Sequence, residues 1–271
     1  MKRQKRFALT LARGLSLAFA VSLAGVTASQ AFDPRTMQEG GAKASDAFVF
    51  GFQAYKLGDT STAVEALKYA AKKGHMPSQW KLGRMYEEGD GVHKDPAQAF
   101  DLFNDIAKRY GNARPGSVEA RYVADAIVML SEFVRSGIPG KVVSNPKESQ
   151  ELLLYAASYF RDPEAQYHLA LSYLDKSVGE VEPRMASRWL VKAARKNHVG
   201  AQLKLGEMLL DGQFFPPQPV NGLKWLTIAR MLDSGNPEAS DRQEAAFALA
   251  DQETRQKAVS LADQWVNGTG R

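Results

Sequence analysis

The sequence predicts an all-α solenoid built from helical hairpins, and three observations predict it. First, one pattern recurs in LKYAAKKGHMPSQWKLGRMYEEGDGVHKD, LLYAASYFRDPEAQYHLALSYLD and LVKAARKNHVGAQLKLGEMLLDG. Each copy has an Ala-Ala pair (Ala70-Ala71, Ala156-Ala157, Ala193-Ala194), a short polar turn, and a new helix starting near Ser78, Ala165 or Ala201. Four residues later stands a leucine (Leu82, Leu169, Leu205), followed at once by a small residue (Gly83, Ala170, Gly206). Second, apolar side chains within each copy return at i, i+3, i+4 and i+7, the spacing of an amphipathic helix. Third, a weaker copy, VEARYVADAIVMLSEF, puts Ala120 and Ala124 at the matching places, so the starts at 78, 120, 165 and 201 lie about 36 to 45 residues apart. That is the period of helical-pair repeats. One pair cannot bury its own apolar face, so several must stack, with atypical caps at each end.

The N-terminal 31 residues read as an address. MKRQKR is a positive n-region, an apolar stretch follows from Leu15 to Val26, and Ser29-Gln30-Ala31 suits signal peptidase. Cleavage is expected between Ala31 and Phe32. The apolar run is about twelve residues, short of the roughly twenty that span a bilayer, and no later segment reaches spanning length. The mature protein is therefore expected in a bacterial periplasm. The leader carries Lys2, Arg3, Lys5, Arg6 and Arg13 and no acidic residue, so its removal reduces the formal charge of +5 to a neutral chain. A neutral surface attracts phosphate backbones weakly over distance, which argues against a nucleic-acid partner, although a local basic patch stays open. Without cysteine, disulfides, thiol catalysis and a lipoprotein anchor are excluded.

The folded unit is expected to be one solenoid over 32–271. Its N-terminal cap hairpin covers about 45–73, its repeats about 60–240 and its C-terminal helical cap about 241–268. In the first hairpin Gly58-Asp59 makes the turn and Thr60 or Ser61 caps the next helix. Gly83 and Gly206 sit inside helices, where glycine costs about 1 kcal/mol relative to alanine; close packing against the next helix is the expected compensation. Gly and Pro interrupt the helices at 111–117, 136–146 and 211–221. The last stretch, EAAFALADQETRQKAVSLADQWVNG, reads as a closing helix pair with Trp265 on its apolar face.

The first full copy, with Lys72-Lys73-Gly74-His75, Gln79-Trp80-Lys81-Leu82-Gly83, Met85-Tyr86 and Gly89-Asp90-Gly91-Val92 through Asp95, resembles the Sel1-like repeat family, a relative of tetratricopeptide repeats. The likeness covers about 46–240 and weakens in the second copy, where Asp125 replaces the glycine. It implies a right-handed α-solenoid of Sel1-like, TPR-like hairpins. The whole chain further resembles the ExoR-type periplasmic exopolysaccharide regulators of rhizobia and related α-proteobacteria. AFDPRTMQEGGAKASDAFVFGFQAYKLGD and GLKWLTIARMLDSGNPEASDRQEA carry that resemblance. It implies a negative regulator that holds the periplasmic domain of a sensor histidine kinase inactive, is removed by a periplasmic protease, and thereby controls exopolysaccharide synthesis and motility.

Motifs for chemistry are absent. His75 and His198 occupy equivalent interhelix turns and read as turn residues; His168 sits mid-helix, where a pH-sensing role is chemically open. No HxxxH or HExxH spacing, P-loop, GxSxG or Rossmann glycine pattern occurs. Glu87-Glu88 and Asp90 read as a solvated helix end. No catalysis, metal or cofactor is expected. By analogy with tetratricopeptide repeats, the protein-binding inner face would include Trp80, Arg84, Glu87, Tyr122, Tyr167 and Glu207. Trp80, Tyr122, Tyr167 and Leu203 share one repeat position, and packing within the repeat is the favoured role of that position. Phe214 and Phe215 form either an exposed apolar loop or one folded back on its repeat. Gly137, Gly140 and Lys141 mark an expected proteolysis loop. A protein-binding regulator is therefore expected, against two alternatives: a scaffold for polysaccharide export or envelope assembly, and an envelope hydrolase. Self-association is left open.

Overall fold

Polar caps and prolines divide the chain into helices. The computed structural model describes residues 41–269; the expected leader and its cleavage point at Ala31 and Phe32 lie outside them. Twelve α-helices occur among the described residues. They are α1 (Ala44–Lys56), α2 (Thr60–Lys72), α3 (Met76–Glu88), α4 (Pro96–Tyr110), α5 (Val118–Ser136), α6 (Pro146–Tyr155), α7 (Pro163–Ser172), α8 (Pro183–Ala194), α9 (Val199–Leu210), α10 (Pro219–Leu232), α11 (Pro237–Leu249) and α12 (Gln252–Thr269). No strand interrupts them among the described residues.

Four of the hairpins begin in the same way. Ser117, Asp162, His198 and Asn236 each accept a hydrogen bond from the backbone N–H three residues on, at 3.2, 2.8, 3.0 and 3.2 Å. Such a side chain satisfies one of the unpaired amides at a helix start. The recipients, Ala120, Ala165, Ala201 and Ala239, are all buried, which is why the repeat demands a small residue there. His75 makes a variant of the same contact, its Nδ1 lying 2.9 Å from Ser78 Oγ. The second helices open differently. Asp95 and Asn145 cap α4 and α6, and Pro96 and Pro146 follow at the first helical position, where a missing N–H is harmless.

Packing runs along the chain. Each helix from α1 to α10 meets its successor, and the main longer-range contacts reach the next helix but one, as in α3 on α5 and α5 on α7. This nearest-neighbour pattern defines a solenoid. The main apolar cluster runs from Val64 through Phe103, Ile127, Leu169 and Leu190 to Ala262, with smaller clusters around Ala47, Ala66 and Ala70 and around Leu203, Leu226, Ala229 and Ala239. α12 turns back onto α10, where Trp265 meets Trp225 edge-on at 5.1 Å. α11 starts at Pro237, so a closing cap drawn from about 241 begins inside a helix.

Two details position the functional face. A Cβ on Gly83 would stand 2.9–3.2 Å from the Phe103 ring, so glycine lets α3 lie close on α4. The other is a π-turn, Ala156–Phe160, that ends α6. From the second alanine of each pair to the next helix start, the third copy has one residue more than its neighbours. The wider turn absorbs that insertion, and Arg161 leaves it with a φ of 56°.

One open alternative closes and one sequence expectation changes. Phe214 and Phe215 are half-buried and pack on the main core, so they form no exposed apolar loop. The segment around Gly137, Gly140 and Lys141 is a tied turn. Ile138 is buried and exchanges backbone hydrogen bonds with Val142 at 2.8 and 2.9 Å. The Asn145 N–H reaches Val134 O at 2.7 Å, and Lys141 pairs with Asp101 at 2.6 Å. Only the tip is open, and a bound backbone resists entry into a protease.

Candidate functional site: a recessed aromatic face

The first helices of successive hairpins line one face. On α3, Trp80 and Arg84 stand one turn apart; on α5, Tyr122, Asp125 and Met129 do the same; α7 adds Glu164 and His168, and α1 adds Phe52. Two hollows of about 640 and 730 Å³ lie in this face and share Trp80 and Asp125 as a common wall. Their joint origin in four helices means that no single repeat could form them.

The Trp80 indole N–H donates to Asp125 Oδ2 at 2.5 Å, and its ring meets Tyr122 edge-on at 5.5 Å. The partly buried Asp125 carboxyl is pushed above the usual aspartate range by burial, against the opposing pull of the Trp80 hydrogen bond and the Arg84 charge. Burial likewise raises Asp162, the α7 cap beside the first hollow. Arg84 pairs with Glu88 at 2.5 Å and lies 3.1 Å from Met129 Sδ. Further along, Glu164 accepts from His168 at 3.1 Å and from His198 at 2.9 Å, and these two bonds hold it well below the usual carboxylate range. Because His198 Nδ1 accepts the Ala201 N–H, its proton must sit on Nε2, facing Glu164.

Of the expected inner-face residues, the structure brings together Trp80, Arg84 and Tyr122. Glu87 lines neither hollow; Glu88 takes that place, one residue round the helix. Tyr167 stacks on the His198 ring at 4.7 Å, where the first repeat has Phe48 tilted against His75 at 5.1 Å. Glu207 pairs with Arg242 and Lys204, away from both hollows. Leu203 is buried against Leu226 and Ala239. Phe52, Asp125 and Glu164 were missed. Asp125 had a visible signal, since it breaks the repeat where a small residue is the rule.

Asp125→Asn is expected to raise the melting temperature at pH 7, because asparagine can still accept from Trp80 without a buried charge. A raised carboxyl pKa means that stability is fullest below the ordinary value of 3.8 and falls as pH rises through the folded value. The gain should therefore vanish below about pH 4. Thermal melts of both proteins across that range check it.

Among the described residues no group of three or more His, Cys, Asp or Glu could hold a metal ion, and no helix is long and apolar enough to cross a membrane. The arrangement can grip a partner: aromatic rings flanked by charges of both signs, held by hydrogen bonds before anything binds.

The hairpins, their caps and this recessed face define a Sel1 repeat protein. The Sel1 repeat model matches residues 77–107, 163–198 and 199–234. Two solved structures share the fold, each at 20% identity and over 86% of this chain. They are a protective antigen of uropathogenic Escherichia coli with an SLR fold (TM-score 0.68, 47% of that chain) and a Sel1 repeat protein from Oxalobacter formigenes (TM-score 0.63, 99% of that chain). The chain belongs to the family of exopolysaccharide production negative regulators. It is 37% identical over 264 residues to the protein so named in Rhizobium leguminosarum bv. viciae, covering 94% of both chains. It is 36% identical to that of Rhizobium meliloti (strain 1021), covering 92% of this chain and 91% of the relative.

Proposed function

We propose that this protein is a non-enzymatic negative regulator of exopolysaccharide production that acts in the periplasm by binding another protein. The observation that carries the reading is the preformed face of Trp80, Tyr122 and Asp125, which has binding character and no catalytic constellation. The names of the relatives support the process it regulates. The positive and apolar leader supports the compartment. The partner in this reading is the periplasmic domain of a membrane sensor histidine kinase, with effects on motility through the same pathway. Repression follows if the protein binds the kinase's inactive conformation more tightly than its active one, because only differential affinity moves such an equilibrium. Proteolysis of the regulator would release the kinase.

The test is a deletion strain complemented with the full chain or with Trp80→Ala/Tyr122→Ala. Deletion should raise exopolysaccharide output, and the parent gene should restore it. The double variant should fail to restore it while retaining its helical circular dichroism and level in the cell. Unchanged output on deletion would overturn the regulatory reading; full complementation by the double variant would remove the aromatic face from it.

A further inference from the structure

A second site lies where the π-turn Ala156–Phe160 and its exit meet α7 and α8. The mature chain is neutral by count, yet Arg161, Lys192, Arg195 and Lys196 converge on one cleft of about 400 Å³. Among the described residues none of the four forms a salt bridge with a carboxylate. Lys196 instead donates to the backbone carbonyl of Arg161, which ties the exit of the π-turn to the end of α8. The one carboxylate acting on Lys196 is Asp162, which is already engaged in capping α7. Lys192 Nζ sits 3.8 Å above the Trp189 ring, the other wall of the cleft. Four cations held this close repel one another, an arrangement that an anion would relieve.

The floor supplies an independent observation. Gln166 lines the cleft, is only 3% exposed, and spends its amide N–H on Ala157 O at 3.1 Å. Its Oε1 is buried with no hydrogen-bond partner. Gln79 and Gln202 carry similarly unpaired oxygens in their own repeats; of the three, Gln166 is the one placed beneath these cations. An unpaired buried acceptor costs about 1–3 kcal/mol, so it calls for a donor. The cleft thus presents cations for acidic groups above a floor of Gln166 and Trp189.

From this geometry we infer that the cleft between the π-turn, α7 and α8 binds an acidic saccharide, its carboxylates or other anionic substituents on Arg161, Lys192, Arg195 and Lys196. The inference rests on the proposed regulatory reading for its biological sense: such a ligand would report the polymer whose production is regulated. α7 links the two sites, since Gln166 floors the cleft while Glu164 and His168 line the recessed face.

Calorimetric titration of the full mature chain tests this directly and needs no kinase. The probes are oligogalacturonate, a neutral malto-oligosaccharide of equal length, and polyglutamate. Oligogalacturonate should bind, weaken with added salt, and lose at least about tenfold in affinity in Lys192→Gln/Arg195→Gln, a loss of roughly 1.4 kcal/mol. Lys147→Gln, which removes one exposed charge elsewhere on α6, should bind as the parent does. The neutral oligosaccharide should not bind, and polyglutamate should bind far more weakly. Equal binding of polyglutamate would overturn the saccharide assignment in favour of an acidic protein surface. Absence of oligogalacturonate binding, or binding indifferent to the double variant, would overturn the site.

Discussion

Phe103→Ala is expected to lower the unfolding free energy by about 3–5 kcal/mol, the range for truncating a fully buried phenylalanine. The ring has no exposed surface, stacks on Phe133 at 6.4 Å, and fills the space that Gly83 leaves vacant on α3. Urea denaturation should show the loss as a lower midpoint with little change in slope. The pairing can be tested more sharply. The three atoms nearest a Cβ at position 83 all belong to the Phe103 ring, at 2.9–3.2 Å, so Gly83→Ala should destabilise the parent and be tolerated or favourable in Phe103→Ala. A coupling of about 1–3 kcal/mol is expected from such a cycle. Equal effects in both backgrounds would show that the two positions do not share this space.

Gly206→Val is expected to cost about 3 kcal/mol or more, at the upper end of overpacking effects. A Cβ there would stand 2.8 Å from Leu226 and 3.0 Å from the Gly222 carbonyl; a Cβ on Gly222 would stand 2.9 Å from the Gly206 carbonyl. Side chains can turn aside, but a backbone carbonyl moves only with its helix, so α9 and α10 would have to separate. Helix propensity alone predicts the opposite sign for Gly206→Ala, a gain of about 1 kcal/mol. The contact distances decide for destabilisation. Gly179→Ala, at a position with nothing within 4 Å, serves as the near-neutral control. Because stability in a solenoid passes between neighbours, hydrogen exchange should quicken in α8–α12 and stay close to the parent in α1–α4. Uniform loosening would argue against that locality.

Much of the fold was legible because the repeat states each constraint several times. The buried alanine that receives the cap recurs at 120, 165 and 201, and the helix-opening prolines stand beside polar caps. The functional face was harder to see. Trp80, Arg84 and Tyr122 were readable from repeat position, but that position also predicted Tyr167 and Glu207, which the structure turns to other partners. The difference lies in what each neighbouring repeat offers. Trp80 finds Asp125 across the gap, whereas Tyr167 finds the cap ring of His198. Glu87 was misplaced by one residue, a rotation of about 100° round the helix. The basic cleft escaped notice because its cations come from the exit of the π-turn, α8 and the turn beyond, separated in sequence by α7.

By itself the sequence determined the helical hairpins, their order and the close approach of small residues, since these depend on neighbours a few residues or one repeat away. Tertiary structure alone decided which side chains meet across repeats: Trp80 with Asp125, Glu164 with two histidines, four cations over Gln166. The physical reason is range. Periodicity records which face of a helix is apolar, while a site of this kind is set by the offset and rotation between stacked hairpins, which a single inserted residue at the π-turn is enough to change.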